Sequence, residues 1–158
     1  MLDNKYSEYY IKKSFHQTVK PRAVFCTCVH QNAQITTMEI KLHQLNDITI
    51  PEVISENIVI ENSQDAVDLL GNLYYQGFDN IIINQKNITP DFFDLKTGIA
   101  GEILQKFSNY RVRLAIIGDF SGYSSKSIKD FIFESNKLGQ INFVESESAA
   151  LNRLSKNG

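Results

Sequence analysis

Hydrophobic and polar positions alternate from Met38 onward. Ile40 and Leu42 fall on one side of a strand, and Glu39, Lys41 and His43 on the other. Asn46-Asp47 is a turn signal and residues 48–54 predict a second strand, so the two form a hairpin. Pro51 assigns the second strand to an edge or a bulge, because proline donates no ladder hydrogen bond. The period then lengthens. Ser63 or Asn62 caps a helix running to about Gln76, with a core stripe of Val67, Leu70, Leu73 and Tyr74 and with Gly77 closing it. Residues 81–83 are a continuous apolar run, the mark of a strand buried on both faces.

The longest helical pattern spans residues 89–107. Thr89 is a natural N-cap, Pro90 suits the first helical position, and Asp91 complements the helix dipole. Phe92, Leu95, Ile99, Ile103 and Phe107 form one apolar stripe. Gly98 and Gly101 interrupt it, each costing about 1 kcal/mol relative to alanine inside a helix. Two readings are open: close packing of this helix on a sheet or a neighbouring helix, or close approach of a ligand or partner backbone. Residues 112–117 predict another buried strand, ended by Gly118-Asp119. Ser124 or Ser125 caps a helix carrying Ile128, Phe131 and Ile132 and stopping near Gly139. Ile141, Phe143 and Val144 predict a last strand, and Ser146 caps a final helix with Ala149, Ala150, Leu151 and Leu154. The order is β-β-α-β-α-β-α-β-α, an α/β class with a single mixed, largely parallel sheet.

Composition narrows the function classes. The chain has 158 residues, 42% of them hydrophobic, with net charge −2, which predicts one ordered domain and no broad nucleic-acid surface. Its apolar runs are too short to span a membrane. Residues 1–37 carry five basic and two acidic side chains, whereas 38–158 carry eleven and sixteen. The expectation is that the domain begins at Met38 and that 1–37 is an N-terminal extension, poorly ordered or not native; the alternative is a tail that docks a partner or an anionic surface. Cys26 and Cys28 make no zinc pattern with His16, His30 or His43, so neither a metal set nor a cofactor is predicted. They read as free thiols in a reducing cytoplasm.

Ligands of open α/β sheets bind outside the carboxyl ends of the strands. The loops after residues 84 and 117 share that edge, which makes Asn87, Thr89, Asp91, Asp119, Ser121, Tyr123 and Ser124 candidate ligand residues. Asp91, Asp94 and Asp119 offer carboxylates to Mg²⁺, and residues 118–122 offer a phosphate cradle beside a helix start. Neither is a strong pattern: helix-start aspartates are common caps, and there is no P-loop Lys-Ser ending. Ser121 lies in G-D-F-S-G rather than G-x-S-x-G, and no histidine follows His43 in the chain. No catalytic residue is predicted. Asp94, Lys96, Thr97, Gly98 and Gly101 are the candidate partner surface. His43, Arg111, Arg113, Glu134 and Asn136 are read as solvent-facing.

Residues 92–102, FFDLKTGIAGE, with Gln105-Lys106-Phe107, residues 115–120 (AIIGDF) and residues 131–136 (FIFESN), resemble the bacterial domain of unknown function 4180. The resemblance covers about residues 38–154 and carries no established activity. The element order is also similar to STAS domains, the fold of anti-sigma-factor antagonists and transporter tails. STAS switches bear an Asp-Ser-Ser-Gly-like phosphorylation site after a central strand. This chain has Asn87-Ile88-Thr89-Pro90 there, with Thr89 the one comparable hydroxyl. The expected function is a non-enzymatic cytoplasmic interaction or regulatory module with a protein partner. The alternative is a small-ligand or nucleotide-binding protein, with weak enzymatic activity at most, using the carboxyl edge. A homodimer through an edge strand stays open.

Overall fold

A computed structural model describes residues 24–28, 36–45 and 47–156. Six strands form one sheet in sequential order. They are β1 (Val24–Cys28), β2 (Thr36–Leu45), β3 (Ile48–Ser55), β4 (Asn80–Asn84), β5 (Arg113–Ile117) and β6 (Ile141–Val144). Neighbours β1 to β3 pair antiparallel and β3 to β6 pair parallel. The helices are α1 (Ser63–Tyr75), α2 (Ile99–Asn109), α3 (Lys126–Leu138) and α4 (Glu147–Ser155). From β2 onward this is the expected mixed, largely parallel α/β order. Residues 24–28, inside the expected extension, pair along β2, and the rest of residues 1–35 lie outside the described residues.

Local signals account for most boundaries. Asn62 caps α1 through a capping box with Asp65, and Gly77 follows its end at φ 89°. Ser146 caps α4 by accepting from the Ala149 amide. The hairpin pairs Leu45 with Ile48, as the turn signal requires. Pro51 departs from expectation: β3 is an internal strand. Pro51 is tolerated because the parallel ladder to β4 begins one residue later, at Glu52.

The predicted long helix is broken. Residues Pro90–Phe93 and Leu95–Thr97 are separate 3₁₀ turns, and α2 starts only at Ile99. The side chains explain this. Asp94 leaves helical geometry (φ −93°, ψ 97°) and accepts the Lys96 amide. The Thr97 hydroxyl donates to the Asp91 and Asp94 carbonyls. Such bonds offer the backbone an alternative to the helical ladder. Gly98 then takes a left-handed φ of 77° as the N-cap of α2. The expectation of two helix-interior glycines is therefore corrected at Gly98. The close-packing reading fails at Gly101, which is exposed and whose added Cβ would meet nothing within 4 Å.

The apolar stripe still reaches the core. Phe92 and Phe107 are fully buried with Leu70, Leu73, Ile81, Ile83, Ile103, Leu114 and Ile116. This main core lies on the sheet face covered by α1, α2 and α3. Ile50, Ile82, Ala115 and Val144 point to the other face, where Ala150 and Leu154 of α4 cover them.

Candidate functional site

The loops after β4 and β5 meet at the carboxyl edge. Gln85 donates to the Tyr123 hydroxyl at 2.8 Å. The Phe93 and Tyr123 rings stack with centroids 5.3 Å apart, and Phe120 packs edge-on against Phe143 at 5.3 Å. Gly118 lets the two loops approach: a Cβ there would lie 2.6 Å from Gln85 Cβ. Burial raises the Tyr123 pKa, partly offset by the Gln85 bond.

The polar candidates here are largely committed to the protein's own backbone. Asn87 is buried, and its amide donates to the Ser55 and Asn57 carbonyls at 2.8 Å each. The Asn87 carbonyl accepts from the Val59 and Ile60 amides. Its side-chain Oδ1 is buried without a hydrogen-bond partner. Thr89 is buried and caps the turn after it, accepting from the Asp91 amide at 3.4 Å. Asp119 accepts from the Ser121 hydroxyl at 2.6 Å and the Ser121 amide at 2.9 Å. The hydroxyl first, then the amide, lowers the Asp119 pKa. Asp91 and Ser124 are exposed. The partner candidates Asp94, Lys96, Thr97, Gly98 and Gly101 are all exposed, along the stretch from the cap of the second 3₁₀ turn to the first turn of α2.

Three side chains read as solvent-facing are not. Arg113 donates to the carbonyls of Gly139, Arg153, Leu154 and Lys156, at 2.7 to 3.3 Å. Its guanidinium thus ties the ends of α3 and α4 to β5. Asn136 exchanges two hydrogen bonds with the Phe143 backbone, donating at 3.1 Å and accepting at 2.7 Å. His43 is only 11% exposed, because the N-terminus of α4 covers the polar side of β2.

Around His43 lies a cluster that sequence reasoning did not assemble. His43 Nε2 is 2.7 Å from Glu52 Oε2, and Nδ1 is 3.6 Å from Glu147 Oε1. Lys41 Nζ is 2.9 Å from Glu147 Oε2 and 3.6 Å from Glu52 Oε2. The Glu147 bond is the main cause that raises the Lys41 pKa, and the Lys41 bond the main cause that lowers that of Glu147. The hairpin register contained half of this: a two-residue turn after Leu45 sets Lys41 opposite Glu52. Nothing in the local pattern brings Glu147 to them, since it arrives from 106 residues beyond Lys41.

The family model described as Domain of unknown function (DUF4180) matches residues 45–154, and the chain belongs to that family. No curated protein and no solved structure matches it. No helix among the described residues is long and apolar enough to cross a membrane.

Proposed function

We propose that this DUF4180 domain is a non-enzymatic bacterial module of the cytoplasm that binds a protein partner through the rim from Asp94 to Gly101. One contrast carries the reading. At the carboxyl edge, the side-chain N–H groups of Asn87, the Thr89 hydroxyl and the Asp119 carboxylate are engaged by the protein's own backbone and by Ser121. The rim beside it is exposed, fixed by the Asp94 and Thr97 caps, and bare at Gly101. A fixed, exposed backbone costs a partner little ordering entropy to engage. The STAS-like element order supports the same reading by fold analogy alone.

The second reading, a small ligand at the carboxyl edge, is favoured by one observation: the unpartnered, buried Oδ1 of Asn87.

Gly101→Arg is the discriminating change, since its space is open and its helical φ suits any residue. Gly98 is a poorer probe, because its φ of 77° strains any other side chain. The test captures the tagged full chain from its host and reads the complex by native mass spectrometry. A stoichiometric protein lost with Gly101→Arg and Lys96→Glu but kept with Asp119→Ala supports the rim. A small-mass adduct lost with Asp119→Ala moves the site to the carboxyl edge. Binding unchanged in every variant overturns both placements.

A further inference from the structure

The chemistry on the opposite sheet face is independent of that rim. His43 projects from β2, Glu52 from β3 and Glu147 from the first turn of α4. One ligand atom from each lies within 4.8 Å of the others. Among the described residues this is the one group of three histidine, cysteine or acidic side chains so arranged. Two of the three are held nearly out of water, at 11% and 14% side-chain exposure. The Glu147 carboxylate, 46% exposed, is the adjustable member.

The cluster also shows what it needs. Two carboxylates brought to one partly buried spot need a positive charge there, because desolvation penalises unpaired anions. The chain supplies one: the Lys41 ammonium sits between Glu147 and Glu52. Lys41 itself is 46% exposed on a long flexible stem and can swing into solvent.

We propose that His43, Glu52 and Glu147 form a binding site for one divalent transition-metal ion, with Lys41 the built-in cation that holds the site in the metal-free chain. One imidazole and two carboxylates are a borderline-to-hard donor set, which suits Mn²⁺ or Zn²⁺ rather than Cu⁺. Metal–ligand bonds of about 2.0–2.2 Å need the donors closer together than 4.8 Å, so the exposed Glu147 carboxylate moves inward as Lys41 leaves. Three protein ligands leave at least one position open to water or a substrate oxygen. The bound ion ties the start of α4 to the β2–β3 hairpin.

The competing ammonium gives the test its sign. Metal-stripped full-length chain is titrated with Mn²⁺ alone, and free Mn²⁺ is counted by electron paramagnetic resonance. Mn²⁺ has little affinity for thiolates, so Cys26 and Cys28 do not interfere. The expected result is saturation at one ion per chain. Glu147→Gln and His43→Ala each weaken it by more than about tenfold. Lys41→Met tightens it, because no ammonium has to be displaced. Glu147→Gln is an exposed change and keeps the test valid if His43→Ala fails to fold. Three results overturn the site: no saturable binding of Mn²⁺, affinity unchanged by Glu147→Gln, or weaker binding in Lys41→Met. The last result would make Lys41 a structural pin rather than a competitor.

Discussion

Arg113→Met should loosen α4 before any other helix. The α4 helix has nine residues, too short to persist in water without tertiary contacts. Its last carbonyls are orphans of the helical ladder and need donors. Arg113 provides them, with Nη2 at 2.7 Å from the Arg153 carbonyl and Nη1 at 3.1 and 3.0 Å from those of Leu154 and Lys156. Its Nε reaches the Gly139 carbonyl at 3.3 Å. Hydrogen bonds to a charged group contribute about 1.5–3 kcal/mol each. The carbonyl contacts at Arg153 and Lys156 are exposed, so water replaces them when the guanidinium is removed. Counting the two part-buried contacts, and discounting for the partly exposed arginine, leaves about 3 kcal/mol. Arg113→Lys should recover less than half, since an ammonium lacks the fork that spans several acceptors. Urea denaturation gives the free energy, and native-state hydrogen exchange gives its location. Amides of α4 should lose protection first, and those of α1 should be affected only through global stability. A loss under about 1 kcal/mol, or uniform deprotection, would refute the clamp.

Two further predictions test the loop junction and the ion cluster. Gly118→Ala should cost about 1–3 kcal/mol in urea melts, because its Cβ would overlap Gln85, and Gln85→Gly in the same chain should restore most of that; equal losses in single and double variants would refute the contact. The pH dependence should be two-sided. The lowered Glu147 pKa gives stability that is present above the ordinary glutamate value and lost as pH falls through the lowered one. The raised Lys41 pKa gives stability that is present below the ordinary lysine value and lost as pH rises through the raised one. Thermal melts from about pH 3 to about pH 11 should therefore show shallower acid and alkaline limbs in Lys41→Met. The Asp119 contribution, also an acid-side loss, should remain.

The elements that can be read from the chain are those whose cause is local. The alternation from Ile40 to Leu42, the Asn62 and Ser146 caps, and the apolar runs of β4 and β5 depend on a few neighbouring residues. The break at 94–98 is also local in cause, but hydrophobic periodicity conceals it. Phe92, Leu95 and Ile99 keep helical spacing across two 3₁₀ turns, while Asp94, Thr97 and Gly98 carry the opposing information. Weighting side-chain capping above the apolar stripe places the start of α2 near Ile99. The roles of Arg113 and Asn136 are not legible, because their partners are backbone carbonyls and amides. Those groups are the same at every position and leave no mark on the sequence.

The location of the His43 cluster is a consequence of strand order. Strands β3 to β6 are parallel and adjacent in sequence, so each right-handed crossover moves one strand along in the same direction. Successive crossovers of that kind must stack their helices on one face. The main core bears this out, since Ala66 and Leu70 of α1, Ile103 and Phe107 of α2, and Phe131 of α3 share it. Among the described residues, the opposite face receives only the helix after the last strand, α4. A single nine-residue helix cannot cover the whole sheet, so its first turn ends over β2 and β3. The sheet there must meet partial water rather than core, and its side chains are accordingly Lys41, His43 and Glu52 instead of aliphatic ones. Glu147 completes them because the first turn of a helix favours an anion. The topology that builds one thick core thus also builds a half-covered boundary on the other face, where an imidazole and two carboxylates converge within reach of an ion.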